Sequence, residues 1–125
     1  MKIAIATKDF ETVSSHAGLT RQWLLYDLSS HRANQLLPAP RRVNLDKAQV
    51  LHVFEDNETH PLDGIDLVVA ASAGDGFIRH MKKRGAEVLL TGETDPALAI
   101  TRILAGEALA DQRFSKDSGG MEARE

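Results

Sequence analysis

The chain has 125 residues, a formal net charge of -3 at pH 7, 42% hydrophobic residues and 26% charged residues, which indicates one soluble globular domain. Its lack of cysteine excludes disulfides, thiolate-held metal sites and a cysteine nucleophile. No apolar run approaches the roughly 20 residues that cross a bilayer, and without a basic stripe nucleic acid is not expected as the main partner.

Three strands are predicted in the first part of the chain. Apolar residues alternate or run together at Lys2 to Thr7 and at Gln22 to Leu28, as is typical of strands. After the polar break at Ser29 and Ser30, His31 to Leu37 is predicted to return as a third strand beside the second. The connections among these strands are too short for parallel crossovers.

Two stretches in the same part of the chain show little regular pattern. Residues 8–21 form a long polar loop, and connections beyond about 12 residues in a compact domain are usually functional or disordered. Residues 38–63 carry three prolines and little periodicity, and a short extended or helical piece is predicted there near Gln49 to Phe54. The long loop is therefore a candidate for function, and the role of residues 38–63 stays open.

Two strand-loop-helix units follow in the second half. Buried strands are predicted at Asp66 to Ala71 and at Ala86 to Leu90, and helices at Asp75 to Arg84 and at Pro96 to Ala105. Successive β-α units imply parallel strands, so the whole sheet is predicted to be mixed. The domain is expected to span residues 1–109, with residues 110–125 as a flexible tail.

Glycine-bearing loops open both predicted helices, at Gly74-Asp75-Gly76 and at Gly92-Glu93-Thr94. Loops that leave the carboxyl ends of parallel strands share one edge of the sheet, and helix N-termini there present N–H groups suited to an anion. The alternative is that the glycines are steric, allowing a positive φ, and that Asp75 and Thr94 only cap the helices. Both interpretations are open at this point.

His16 is the candidate metal ligand. It lies in the long loop, after Ser14 and Ser15 and before Gly18. A neutral imidazole there could supply one terminal ligand to a metal cluster that brings its own sulfides. The alternative is a histidine that braces the loop or lies at the surface.

The other histidines are weaker candidates. His52, Glu55, Glu58 and His60 could coordinate a divalent metal, but their spacing matches no motif with a physical basis, so a solvated loop is favoured. His80, in the middle of a predicted helix, is expected to face solvent.

A family resemblance rests on the order of elements and on three segments of the sequence. These are the opening Lys2-Ile3-Ala4-Ile5-Ala6-Thr7, the segment Val13-Ser14-Ser15-His16-Ala17-Gly18 and the turn Gly74-Asp75-Gly76. Over residues 1–106 the chain resembles the dinitrogenase iron-molybdenum cofactor biosynthesis family, which includes the NifX/NafY-like nitrogenase accessory proteins of nitrogen fixation. The resemblance implies a ribonuclease H-like, three-layer α/β/α fold with a mixed sheet of about five strands. It also implies non-catalytic binding or carriage of an iron-molybdenum cofactor or an iron-sulfur precursor, with nitrogenase or cofactor-assembly proteins as partners.

The expected site is the crevice between the long loop and the two glycine loops. His16 occupies the position at which the family is suspected to contact the cofactor, and it is the predicted metal ligand. The full set of expected cofactor-binding residues is His16, Ser14, Ser15, Gly18, Gly74, Gly76 and Gly92. The chain departs from the family pattern in having Ala17 where phenylalanine is usual, and in lacking cysteine or a dense histidine run.

Two other functions remain as alternatives. One is a small-molecule binding or regulatory module of the same fold without a metal role. The other is a metal-dependent hydrolase, which would need clustered carboxylates beginning in the first strand, but Lys2 to Thr7 contains none. The apolar part of that strand is also too short for a signal-peptide core, so the expectation is a cytoplasmic binding protein and not an enzyme.

Overall fold

Six strands and two α-helices are formed by the residues that the computed structural model describes, which are 1–29, 31, 36–47 and 60–114. The strands are β1 (Lys2–Thr7), β2 (Gln22–Asp27), β3 (Arg41–Asn44), β4 (Leu67–Ala70), β5 (Glu87–Leu90) and β6 (Arg113–Phe114). The helices are α1 (Asp75–Lys83) and α2 (Pro96–Leu104), and a single turn of 3-10 helix spans Ala17–Leu19.

The strands form one mixed sheet in the order β3-β2-β1-β4-β5-β6. β1, β4 and β5 run parallel, whereas β2 is antiparallel to both of its neighbours and β6 is antiparallel to β5. The predicted mixed sheet is therefore confirmed. The carboxyl ends of β1, β4 and β5 lie at one edge, so the loops that follow these strands emerge side by side.

The two helices cover opposite faces of the sheet. Successive residues of β1 point to opposite sides, so that Ala4 and Ala6 pack in one core with Phe77 and Met81 of α1. Ile3 and Ile5 pack in a second core with Ala99 and Ile100 of α2. These two cores confirm the predicted three-layer α/β/α architecture.

The third strand differs from the prediction. His31, Leu36 and Leu37 lie outside any strand, and β3 forms later, where Val43 pairs with Trp23 of β2. Val43 is the single buried residue of this edge strand, so the sequence offers almost no alternation to detect. Residues 32–35 and the piece predicted near Gln49 to Phe54 lie outside the described residues.

The chain remains part of the sheet to Phe114, beyond the predicted boundary at residue 109. Leu109 is buried in the core below α2, and the carbonyl of Ala110 accepts from the Thr91 hydroxyl at 2.6 Å and from the Gly92 N–H at 2.7 Å. Arg113 and Phe114 then pair with β5. Residues 115–125 of the expected tail lie outside the described residues.

Neither described helix has the length and apolar character that a membrane crossing requires.

Candidate functional site

A cleft of about 410 Å³ lies between the 3-10 turn and α1. Its volume falls within the range of about 300–1,000 Å³ that is usual for small-ligand sites. It is lined by side chains and backbone from the loop after β1 and from the first turns of α1, namely His16, Gly18, Leu19, Gly74, Gly76, Phe77 and His80. The cleft therefore lies at the edge of the sheet that the sequence predicted.

The long loop reaches α1 because it crosses the carboxyl ends of the parallel strands. The Ser14 N–H donates to the carbonyl of Ala6 at 2.8 Å, and the Ser14 carbonyl accepts from the Ala71 N–H at 2.8 Å. The Val13 N–H also donates to the carbonyl of Thr94 at 2.9 Å. These bonds join the loop to the exits of β1, β4 and β5.

A second set of hydrogen bonds fixes the backbone of His16, whose φ of 58° and ψ of 56° are left-handed. Its N–H donates to the Ser72 hydroxyl at 2.9 Å, and the Ser72 carbonyl accepts from the Ala17 N–H at 3.0 Å. The His16 carbonyl accepts from the Leu19 N–H at 2.9 Å and from the Thr20 hydroxyl at 3.2 Å. A non-glycine residue adopts this conformation only where its surroundings hold it, so the exposed imidazole is presented from a fixed backbone.

Asp9 stabilises the turn that begins the same loop. Its carboxylate accepts from the N–H groups of Glu11 and Thr12, each at 2.8 Å. These two bonds, that of Glu11 first, lower the pKa of the Asp9 carboxyl below its ordinary value.

The opposite wall is the N-terminus of α1. The N-cap residue of this helix is Gly74, which has no side chain to cap it. By contrast, the Asp95 carboxylate caps α2 by accepting from the N–H groups of Ala97 and Leu98 at 3.0 and 3.4 Å. The first-turn N–H groups of α1 therefore have no side-chain acceptor from their own cap and lie beside the cleft. Such groups, together with the helix dipole, favour an anion.

The glycines of this wall are not explained by backbone strain. The φ of Gly74 is -81°, and Gly76 is not among the residues with positive φ. A Cβ at Gly74 would meet nothing within 4 Å, and one at Gly76 would lie 4.0 Å from Nη2 of Arg79. Positive φ and close packing therefore do not account for these two glycines, and a guanidinium nitrogen of Arg79 lies near Gly76.

Gly92 has a different environment. A Cβ there would lie 2.7 Å from Oδ2 of Asp111. The neighbouring Glu93 carboxylate accepts from the Ala110 N–H at 3.1 Å and lies 3.6 Å from the guanidinium of Arg102. The second glycine loop thus holds the segment leading to β6, and packing accounts for its glycine.

Four of the seven predicted site residues meet in the cleft: His16, Gly18, Gly74 and Gly76. Ser14, Ser15 and Gly92 are not among the described residues that line it. Ser14 holds the loop through its backbone, and its hydroxyl is buried without a hydrogen-bond partner in the described part of the chain. Ser15 is exposed next to His16.

His80 was missed by the sequence reasoning, which expected it to face solvent. It is half-buried and lines the cleft. The signal was its spacing, because Gly76 and His80 lie four residues apart and so share one face of α1.

The floor of the cleft is rigid and apolar. Phe77 is 4% exposed and stacks on Trp23, with ring centroids 6.3 Å apart and an interplanar angle of 13°. An offset pair of this kind anchors α1 to the sheet through the aromatic core. The wall that α1 contributes to the cleft is therefore held by packing as well as by the helix backbone.

The cleft has few charged side chains that could hold a metal ion. In residues 1–29, 31, 36–47 and 60–114, no group of three or more His, Asp or Glu side chains is arranged to hold a metal ion. His60, one member of the weaker candidate set, is buried, and its Nδ1 accepts from the Leu62 N–H at 3.0 Å. His52, Glu55 and Glu58 lie outside the described residues. Imidazoles, backbone N–H groups and a nearby arginine suit an anionic ligand that supplies most of its own coordination.

The described residues form a small α/β/α domain with a cleft between the 3-10 turn and α1. The sequence profile of the dinitrogenase iron-molybdenum cofactor family matches residues 1–106. The chain belongs to this family, and its function is associated with the iron-molybdenum cofactor. A search among curated proteins found no match.

Several solved structures share the fold. A protein from Methanocaldococcus jannaschii, assigned provisionally as a dinitrogenase, aligns with a TM-score of 0.62 and 12% identity over 92% of this chain and 94% of its own. A provisionally assigned NifB protein from Thermotoga aligns with a TM-score of 0.57 and 18% identity, over 93% of this chain and 97% of its own. The apo form of the orange protein from Desulfovibrio gigas aligns with a TM-score of 0.59 and 17% identity, over 91% of this chain and 92% of its own. At these identities the likeness establishes the fold alone.

Proposed function

We propose that the protein binds an iron-molybdenum-type cofactor, or an iron-sulfur precursor of it, in the cleft between the 3-10 turn and α1. The observation on which the proposal rests is the imidazole of His16, held on a fixed backbone opposite the uncapped N-terminus of α1. Membership of the iron-molybdenum cofactor family supports this assignment.

The residues of the cleft fit such a group in their chemistry. A metal-sulfur cluster brings its own bridging sulfides and requires few terminal ligands, and imidazole nitrogen is a suitable ligand for iron. The N–H groups of the first turn of α1 and the guanidinium of Arg79 would offset the negative charge of the cluster. Phe77 would exclude water from its inner side. Asp75, also in the first turn, is exposed and would have to point away.

Binding without catalysis is the second part of the proposal. Ribonuclease H-like nucleases need metal-binding carboxylates that begin in the first strand, and here β1 reads Lys2-Ile3-Ala4-Ile5-Ala6-Thr7. The described residues that line the cleft offer imidazoles and N–H donors, and no carboxylate is among them. We therefore assign the cofactor the role of cargo rather than of a reactive centre.

Release of the cargo follows from the same geometry. His16 and Gly74 are exposed at the cleft, so a partner could reach the cofactor without opening the domain. We propose that the recipient is a nitrogenase or cofactor-assembly protein in the cytoplasm.

The test is anaerobic titration with isolated iron-molybdenum cofactor, followed by absorbance and native mass spectrometry. The wild-type chain is expected to form a complex with one cofactor. His16→Gln is expected to weaken binding by about tenfold or more, because even loss of a group that orients a metal ligand costs about 10–100-fold in affinity. His31→Gln is the matched control, because His31 follows β2 at the opposite edge of the sheet. Equal binding by the wild type and His16→Gln would remove His16 from the site.

The same experiment separates the alternative function. A wild-type chain that takes up no cofactor, but whose melting temperature rises with a small organic anion, would be a small-molecule binding module instead.

A further inference from the structure

A second histidine, His80, is among the residues that line the cleft, and it comes from α1 rather than from the loop that bears His16. His80 lies one turn along α1 from Gly76, and it lines the cleft together with His16. The 3-10 turn that follows His16 contacts α1, so the two elements that bear the histidines are packed against each other. The floor residue Phe77 fixes the rotation of α1 through its stack on Trp23. Two histidines thus line one cleft from two different elements of the fold.

Two imidazoles are few for a single metal ion. Protein zinc sites use three or four side-chain ligands, and no group of three His, Asp or Glu side chains that could hold a metal ion occurs in the described part of the chain. A polynuclear metal-sulfur cluster requires fewer protein ligands, because its sulfides complete most of the coordination at each metal. A cleft of about 410 Å³ also has room for such a cluster.

We infer that His80 is a second metal ligand and that the cleft holds a metal-sulfur cluster between two imidazoles, each bound to a different metal atom of the cluster. This inference rests on the proposed function, since it assigns a residue to the same site. The cargo class is then an anionic metal-sulfide cluster with two exchangeable terminal positions. His16 would bind from the loop, and His80 from the helix.

The test uses a synthetic cubane iron-sulfur cluster with thiolate terminal ligands, under argon. Each imidazole nitrogen that bonds to an iron displaces one thiolate, which leaves with the bonding pair and takes up a proton from the buffer. The free thiol released per bound cluster therefore counts the histidine ligands. The proteins compared are the wild type, His16→Gln, His80→Gln and the His31→Gln control.

Two thiols per cluster are expected for the wild type and for His31→Gln, and one for each of the other variants. The affinity for the cluster is expected to fall by about tenfold or more in His16→Gln and in His80→Gln. Far-ultraviolet circular dichroism confirms that each variant is folded, and the thiol count of the wild type is informative without any variant.

Release of one thiol by the wild type, or of two by His80→Gln, would overturn the second ligand while leaving the proposed function in place. A wild-type chain that binds neither this cluster nor isolated iron-molybdenum cofactor would overturn both.

Discussion

Ser72 is the residue that joins the two halves of the site. Its hydroxyl accepts from the His16 N–H at 2.9 Å, and its carbonyl accepts from the next N–H, that of Ala17, at 3.0 Å. A serine in the loop after β4 thereby holds the left-handed backbone of a residue in the loop after β1. In the proposed site Ser72 is a positioning residue, because it would act on the cofactor only through His16.

We expect Ser72→Ala to lower cofactor affinity about fivefold, which corresponds to the roughly 1 kcal/mol of one hydrogen bond. Ser72→Thr keeps the hydroxyl and is expected to restore the affinity. The measurement is the cofactor titration, with thermal unfolding as the control for stability. If Ser72→Thr binds as weakly as Ser72→Ala, the hydroxyl does not position His16.

A pair of substitutions at Gly74 tests the helix N-terminus as an element. Asp and Asn both cap helices well, and the φ of -81° at Gly74 accepts either, so both are expected to raise the free energy of unfolding by a few tenths of a kcal/mol. Only Asp adds a negative charge where the anionic cofactor is proposed to bind.

Gly74→Asp is therefore expected to weaken cofactor binding about fivefold more than Gly74→Asn, since two like charges about 4 Å apart in water repel by about 1 kcal/mol. Titrations of the two variants at low salt measure this difference. Equal cofactor affinities of Gly74→Asp and Gly74→Asn would show that the bound group does not interact electrostatically with a charge at this end of α1.

The two glycine loops have different structural roles, which a second pair of variants distinguishes. Gly92→Ala would place a Cβ 2.7 Å from Oδ2 of Asp111, and overpacking of this kind costs about 1–3 kcal/mol. We expect the variant to unfold at lower denaturant concentration while its folded form binds the cofactor normally.

Gly76→Ala is the matched control for stability, because its Cβ would meet only the end of a flexible arginine side chain at 4.0 Å. Alanine also favours a helix interior. The free energy of unfolding of the Gly76→Ala variant is therefore expected not to fall below that of the wild type. Unchanged stability in Gly92→Ala would show that Asp111 moves aside at little cost.

The elements that the sequence predicted well carry strong local signals. β1 is predicted with its observed ends, and α1 is predicted to within one residue, because the helix begins after a glycine loop and ends before Gly85, whose φ is 83°. β3 and β6 were missed because their pairing is decided by the neighbouring strand. β3 buries a single residue and β6 has two residues in all.

The position of the cleft was predictable to a similar extent. His16 was a candidate because it lies in a long polar loop among small residues, and the glycine loops indicated the edge of the sheet at which the cleft lies. The contacts that complete the cleft are tertiary. Ser72 lies 56 residues from His16 in the chain, and His80 enters only because the packing of Phe77 sets the rotation of α1. No local pattern specifies the contact of Ser72 with His16, and the spacing of His80 from Gly76 indicates only that the two residues share a face of α1.

At the scale of the whole molecule, the sheet separates the cleft from a second core. The cleft and α1 lie on one face, whereas α2 packs on the other through Ala99 and Ile100, both fully buried. Stability and binding are therefore expected to be separable by substitutions in α2.

Ile100→Ala is expected to lower the free energy of unfolding by about 2–5 kcal/mol, as loss of a buried aliphatic side chain does. Leu98→Ala, in the same helix but 39% exposed, should change it by about 0.5 kcal/mol or less. Urea unfolding measures both, and cofactor titration of the folded proteins should give wild-type affinity. Weaker binding by folded Ile100→Ala would show that the two faces are coupled.

The single tryptophan of the chain permits a direct test of the proposal that one cluster-type cofactor binds at His16. Trp23 is fully buried and stacks on Phe77, which lines the cleft, so its fluorescence should be quenched when an absorbing metal cluster binds. In an anaerobic titration with isolated iron-molybdenum cofactor, we expect quenching that saturates at one cofactor per chain in the wild type and in His31→Gln, and only at a much higher cofactor concentration in His16→Gln. Absence of saturable quenching in the wild type, or the same curve in His16→Gln, would contradict the proposal.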